Sequence, residues 1–227
     1  MIIGGFQKTS LIDYPNKIAA IVFTQGCNFR CGYCHNPELA ELKKTEFKTE
    51  EILDFLESRI GKLDAVVITG GEPTLHGGLT DFIREVKHMG YLVKLDTNGT
   101  NPNLLASLIE NELIDYIAMD VKAPLYKYEE ITKSNIKTET IYSSIKIIME
   151  SKINYEFRTT LVNGELDISD LEEMGKLLKD AKAHYIQNFV ATKTIDSSFL
   201  NKSPLNEKDL SNVKSILNKY IDSVHIR

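Results

Sequence analysis

The sequence predicts an α/β protein, a parallel sheet with helices packed outside it. Three observations point there. Apolar runs rich in β-branched residues recur at fairly even intervals, segments of helical periodicity lie between them, and glycine-rich or polar residues gather just past the ends of the runs. The runs are Ile18 to Thr24, Ala65 to Thr69, Tyr91 to Asp96, Tyr116 to Asp120, Tyr155 to Leu161 and Tyr185 to Val190, and they read as buried strands. The helical segments are Thr49 to Ile60, Leu79 to Met89, Pro102 to Asn111, Thr140 to Ser151, Ser169 to Lys182 and Asn206 to Tyr220. Capping signals support two of the helix starts. Thr49 stands before Glu50 and Glu51, and Ser169 opens Ser-Asp-Leu-Glu, with a glutamate three residues on. Six βα units result, and such alternation builds an open doubly wound sheet or a complete or partial β/α barrel. Periodicity alone does not choose between them.

The polar clusters locate the working end. They follow the first four strands as the cysteine loop, Gly70 to Pro73, Thr97 to Gly99, and Lys122. Strand C-termini are where β/α proteins place their active sites. Residues 1-17, which include Thr9-Ser10-Leu11-Ile12-Asp13-Tyr14-Pro15, read as an N-terminal cap or hairpin, 18-190 as the core and 191-227 as a C-terminal extension of a single domain. At 227 residues, 42% hydrophobic and 26% charged, the chain can bury one large core. Its net charge is -5 and its Lys and Arg residues are scattered, so it lacks the basic stripe that a phosphate backbone demands. Nucleic acid is not an expected partner. Met1 to Phe6 is too short an apolar run for a signal peptide, and no segment approaches the roughly 20 apolar residues of a membrane span. A cytoplasmic protein with no membrane partner is expected.

All three cysteines fall in one loop, Cys27-x3-Cys31-x2-Cys34, directly after the first strand. An odd number crowded together suits metal ligation better than a disulfide framework. Gly26 and Gly32 let the backbone wrap tightly there. A 4Fe-4S cluster is normally held by four cysteines, so three would leave one iron open to a ligand from elsewhere. A zinc site of three cysteines completed by His35 is the alternative, although His35 adjoins Cys34 and its ring is poorly placed for the same tetrahedron. Three inert packing cysteines would not crowd into a loop.

The stretch Gln25-Gly26-Cys27-Asn28-Phe29-Arg30-Cys31-Gly32-Tyr33-Cys34-His35-Asn36-Pro37 resembles the signature of radical S-adenosylmethionine enzymes. Its His-Asn-Pro tail is similar to that of the glycyl-radical-enzyme activases. Lys8 to Gln25 resembles the activases of anaerobic ribonucleoside-triphosphate reductase, relatives of pyruvate formate-lyase activating enzyme, and the likeness runs from about Gly5 to Gln187. The resemblance implies a partial (β/α)6 TIM-like barrel in which S-adenosylmethionine chelates the open iron. It also implies reductive cleavage to methionine and a 5′-deoxyadenosyl radical, which takes hydrogen from a glycine of a partner glycyl radical enzyme. No cysteine is left for a second cluster, so the electron is expected from an external flavodoxin or ferredoxin.

The resemblance also implies roles for the other polar clusters. Thr69-Gly70-Gly71-Glu72-Pro73 admits close backbone approach at Gly70 and Gly71, and Glu72 becomes the partner of the methionine ammonium. A Gly-Gly turn capped by its glutamate is the plainer reading. Asp96 and Asp120, at the ends of adjacent strands, would repel unless a cation or lysine compensates. By resemblance they take a monovalent cation with help from Thr97, and Lys122 meets the cofactor; rim salt bridging is the alternative. Arg158 on the fifth strand is costly facing inward unless it meets an anion, which the resemblance makes the cofactor. A structural pair or snorkelling to solvent is the other reading. Gln187 is the nearest candidate where relatives carry a cofactor-contacting histidine, while His184 reads as a strand-edge residue. Asn36 is expected to hydrogen-bond near the cluster or cofactor, and Tyr33 to pack over the adenine side. His76 and His88 read as surface residues.

Two other functions stand beside the activase. One is a radical enzyme acting on a small molecule such as a deazapurine precursor, against which the His-Asn-Pro tail weighs. The other is a non-catalytic zinc or iron-sulfur binding module, which leaves the polar clusters on three further strands unexplained.

Overall fold

The structure, a computed structural model, describes residues 1–43 and 45–227. Its elements run in the order β1 (Ile3–Ser10), β2 (Ala19–Thr24), α1 (Pro37–Ala40), α2 (Thr49–Glu57), β3 (Ala65–Gly70), α3 (Leu79–His88), β4 (Leu92–Thr97) and α4 (Pro102–Glu110). There follow β5 (Tyr116–Asp120), α5 (Tyr128–Thr132), α6 (Thr138–Glu150), β6 (Asn154–Leu161), α7 (Ile168–Leu177), β7 (His184–Asn188), α8 (Glu207–Leu217) and β8 (Val224–Ile226). All the strands lie in one sheet in sequence order. β1 pairs antiparallel with β2, and each later neighbour is parallel. β1 and β8 are the two edges among the described residues, so the sheet is a partial barrel of β/α units.

The two ends of the chain differ from the sequence reading. Residues 1-17 form a hairpin arm, but the arm is a strand of the sheet itself. Residues 191–227 carry α8 and β8, and β8 adds a seventh parallel strand beside β7. A three-residue strand is too short to announce itself by periodicity. β7 stops at Asn188, two residues early, because Phe189 and Val190 leave the sheet to meet His35.

Period-2 alternation sends successive side chains to opposite faces. Val22, Ile68, Leu95, Ile117 and Met119 face the helices and join the main core. Ala19, Ile21, Ala65 and Val67 face the barrel interior, where they pack with Tyr14, Phe23, Leu92 and Tyr116. The Tyr14 and Tyr116 rings lie 5.7 Å apart and fill the interior at the strand N-termini. The same parity, carried toward the strand C-termini, turns Asp96, Asp120, Arg158 and Gln187 inward. The interior therefore holds an apolar and aromatic cluster near the strand N-termini, with the buried Glu156 beside Tyr116, and an ionic cluster at the strand C-termini.

Two helix caps differ from the expected ones. α7 begins at Ile168 with a reciprocal box between Asp167 and Asp170, so Ser169 is not its cap. Aspartate at both positions satisfies two amide donors, 2.9 Å from Asp170 N to Asp167 and 2.8 Å from Asp167 N to Asp170. Thr49 is the first residue of α2 and makes no cap bond, the cap position being Lys48.

His184 is not an edge residue. It is fully buried with Ile186 on the helix-facing side of β7. The Thr159 hydroxyl gives its hydrogen to the Val121 carbonyl at 2.6 Å, so His184 Nε2 donates to that oxygen at 2.8 Å. Burial pushes the imidazole pKa down to about 3. Unfolded chains take up a proton near 6.5 that the native fold refuses, so stability falls as pH drops from about 6.5 toward 3. Between pH 7 and pH 5 this linkage amounts to at most about 2 kcal/mol. Urea unfolding at the two pH values should show that loss in the wild type and not in His184→Gln; equal losses would mean the imidazole is protonated in the fold.

Candidate active site

The strand C-termini enclose a cavity of about 320 Å³. Its first wall is the cysteine loop, which is held by its neighbours. After β2, Gly26 N donates to Leu39 O at 2.7 Å and Cys27 N to Ala40 O at 3.0 Å, tying the loop to α1. The Gln25 amide donates to the carbonyls of Glu38 and Glu41 at 2.7 and 2.6 Å. Gly26 takes φ +96°, the left-handed region where glycine carries no Cβ penalty. The loop after β3 packs backbone to backbone on it: Glu72 N donates to Gly26 O at 2.8 Å, and a Cβ on Gly71 would overlap that carbonyl.

Cys27, Cys31 and Cys34 are free thiols lining this one cavity. Among the described residues no three His, Cys, Asp or Glu side chains stand close enough to share a single metal ion. A cuboidal cluster bonds each cysteine through a different iron and needs its thiols further apart than one zinc ion does. His35, the proposed fourth zinc ligand, is turned elsewhere. Its Nε2 donates to Val190 O at 3.0 Å and its ring stacks on Phe189 at 5.2 Å. Burial pushes the Cys27 thiol up to about 11 and raises Cys31 as well. Such thiols ionise when a metal provides the positive charge. Phe29 N–H points at Cys27 Sγ from 3.4 Å, and the Asn98 amide reaches it at 3.9 Å. Three thiols, no fourth cysteine and donors aimed at sulfur fit a cluster with one open corner.

Opposite the thiols, the ionic end of the barrel makes the second wall. Arg158 bridges both acids, with Nε donating to Asp120 and NH1 to Asp96, each at 2.9 Å. Lys94 closes on Asp96 at 2.6 Å and Lys122 on Asp120 at 3.1 Å. The repulsion between Asp96 and Asp120 is thus compensated by side chains. Register explains the meeting, since Asp120 and Arg158 are direct partners across β5 and β6. Burial works against both carboxylates, but Arg158, with Lys94 for Asp96 and Lys122 for Asp120, holds Asp96 below its usual range and Asp120 at about 2. Lys122 and Arg158 are the cations of this group that line the cavity, beside Asp96 and Asp120 and with Asp13 and Glu72 also in its wall.

Glu72 also has a structural part. Its carboxylate is fully buried and accepts from Thr74 N at 3.0 Å, the Thr74 hydroxyl, Thr97 Oγ1 at 2.8 Å and Asn98 N at 2.6 Å. Thr97 Oγ1 accepts from Gly99 N, so its own hydrogen is left for Glu72. With three donors on Oε1 and one on Oε2, the carboxylate locks the β3 loop to the β4 loop and caps the turn Pro73–Leu75, and one acceptor site is left on Oε2. Gly70, Gly71 and Glu72 all line the cavity there.

The remaining expected residues also line the cavity. Gln187 sits beside Thr160, whose hydroxyl donates to it at 3.3 Å. Asn36 makes no cap bond to α1. Tyr33 touches the cavity while its ring leans on Phe199 at 6.1 Å, and its buried hydroxyl has no partner among the described residues. An unpaired buried hydroxyl costs about 1–3 kcal/mol, which a bound ligand could relieve. Sequence reasoning missed Asn98, Lys94 and Asp13. Asn98 follows Thr97 in a turn, Lys94 was hidden inside an apolar run, and Asp13 enters the cavity from the hairpin connection. His76 is half-buried, accepting from Ile2 N at 3.4 Å, while His88 is exposed.

Residues 21–178 match the Radical SAM superfamily. The chain belongs to that superfamily, the radical S-adenosylmethionine enzymes. A protein of Methanocaldococcus jannaschii, provisionally named a glycyl-radical enzyme activating enzyme, is 40% identical across 100% of this chain and 95% of its own length. A second protein of that organism, named in the same way, is 29% identical across 98% of this chain and 85% of its own length. The fold is shared with Streptococcus suis SuiB bound to precursor peptide SuiA, with a TM-score of 0.72 and 11% identity over 91% of this chain and 48% of SuiB. The superfamily implies a 4Fe-4S cluster and S-adenosylmethionine.

Replacing Glu72 by Gln puts an amide hydrogen against donors that now converge on a carboxylate. Thermal stability should fall by about 1–3 kcal/mol together with cofactor affinity, while iron content holds. Calorimetry and titration check both; lost binding at unchanged stability would make direct contact with the cofactor its main part.

Proposed function

We propose that this enzyme is an activase whose substrate is a glycine of a glycyl radical enzyme, with anaerobic ribonucleoside-triphosphate reductase as the partner. The observation that carries the reading is the meeting, in one cavity, of three free thiols, with no fourth cysteine in the sequence, and the side chains of Lys122 and Arg158. The end-to-end likeness to a relative named as such an activase supports the choice of substrate. When bound, the cluster supplies the electron that breaks the sulfonium bond of S-adenosylmethionine, and the radical formed takes the glycine hydrogen.

The chain's own residues bind and orient. Cys27, Cys31 and Cys34 hold the cluster. The Gly70–Gly71 backbone, held open by Glu72, offers polar groups to the amino end of the cofactor, while Lys122 and Arg158 attract its carboxylate. Tyr33 and Gln187 flank the bound nucleoside, and Asn36 donates a hydrogen bond beside it. Arg158 takes the place that a monovalent cation would fill between Asp96 and Asp120, with Thr97 engaged by Glu72. All three cysteines are used, so flavodoxin or ferredoxin delivers the electron.

Anaerobically reconstituted protein should carry about four irons per chain and form 5′-deoxyadenosine with a chemical reductant. Cys31→Ala should lose both iron and cleavage. A glycyl radical should appear by electron paramagnetic resonance when the reductase is added; cofactor cleavage without that signal would favour a small-molecule substrate, and a zinc-only protein would end the reading. Exchanging sodium and potassium for tetramethylammonium should change cofactor affinity less than about twofold, because Arg158 already balances the acids. A steep loss would place a cation there after all.

A further inference from the structure

The segment after β7 does more than carry the chain to α8. Asn188, at the end of β7, uses its amide in both directions: Nδ2 donates to Leu205 O at 2.9 Å, and Oδ1 accepts from Leu205 N at 2.9 Å. Residues 189–204 are thereby a loop with tied ends. A second tie joins Lys202 to Glu165 at 3.0 Å.

This loop lies on the cysteine loop. Asp196 N donates to Gly32 O at 3.0 Å, and Val190 O accepts from His35 Nε2 at 3.0 Å. Phe189 stacks on the His35 ring, with the planes 7° apart, and meets Phe199 edge-on at 6.4 Å. Phe199 in turn presses on Gly32 so closely that a Cβ there would overlap its ring, and it leans on Tyr33 at 6.1 Å. Gly32 has no positive φ, so the need for glycine comes from Phe199 and not from the turn. Cys31 and Cys34 bracket these two contact residues.

We propose that Phe199 is a positioning residue for the cysteine loop: carried on a strap closed by Asn188 and Leu205, it wedges against Gly32 and Tyr33 and holds the Cys31-to-Cys34 turn in its ligating shape. The physical need is plain. Three thiols must converge before the metal arrives, and between Cys31 and Cys34 the buried side chain is Tyr33, the ring that Phe199 meets. A ring clamped from outside lowers the population of open conformers, and each opening exposes cysteine to solvent and to competing ligands. The strap thus serves the cluster without touching the substrate.

The inference rests on the cluster reading above, and the test separates the two. In metal-free full-length protein, Phe199→Ala should speed amide hydrogen exchange at residues 31–34 about tenfold and leave exchange in α3 and α4 unchanged. In the reconstituted enzyme, iron loss to a chelator should accelerate by a similar factor, and Phe199→Leu should restore most of both. Gly32→Ala, which forces the ring away while leaving Phe199 in place, should reproduce the effect should Phe199→Ala fold poorly. Unchanged exchange and unchanged iron loss in folded Phe199→Ala would overturn the proposal. Faster exchange in a protein that never takes up iron would uphold the wedge and end the cluster reading instead.

Discussion

The molecule depends on holding a loop that cannot hold itself. Cys27 to Cys34 contributes three thiols and no helix or strand, so its shape comes from the burial of Phe29, Cys31 and Tyr33 and from hydrogen bonds supplied by neighbours. α1 takes its first amides, the Gly71–Glu72 backbone closes on the Gly26 carbonyl, Asn98 leans on Cys27, and Phe199 presses on Gly32. Each clamp comes from a different part of the chain. The loop after β3 is itself fixed by the Glu72 carboxylate through Thr97 and Asn98, so the β4 loop acts on the cysteine loop both directly and through Glu72. Backbone approaches this close are possible only where a side chain is missing, which is why Gly71 and Gly32 stand where they do.

A second constraint is electrostatic. Five ionised side chains share the inner end of a half-closed barrel, where each alone would be expensive to bury. They are tolerable because β5 and β6 pair Asp120 with Arg158, and because the guanidinium fork can serve two acids at once. The polarity is set in advance: Asp96 and Asp120 stay ionised well below neutral pH, Lys122 and Arg158 stay charged above it, and both cations line the cavity. Such preorganised charge needs no rearrangement when a ligand arrives. Tyr14, Tyr116, Ile21 and Val67 pack together at the other end of the same barrel.

Much of this was legible in the residues themselves. The six strand runs and their helices appear close to where periodicity places them, because a strand buried on both faces must be apolar throughout and a helix on its back must show a stripe. Every polar residue singled out from the ends of those runs lines one cavity. What failed did so for local reasons. His184 looked peripheral since a lone histidine carries no mark of burial, and the box at Asp167 was passed over for a serine two residues later. Glu72 was read for a ligand alone, and nothing in Thr74, Thr97 or Asn98 announces that they will also donate to its carboxylate.

The sequence by itself determined the class of fold, the working end of the sheet and the three thiols, since these follow from period, from glycine and from cysteine spacing within short windows. Tertiary structure alone decided which charges neutralise which, what else holds the Glu72 carboxylate, and that residues beyond 190 return to extend the sheet and pack on the cysteine loop. Those outcomes join groups many tens of residues apart, and only register and packing in three dimensions bring them within a few ångströms.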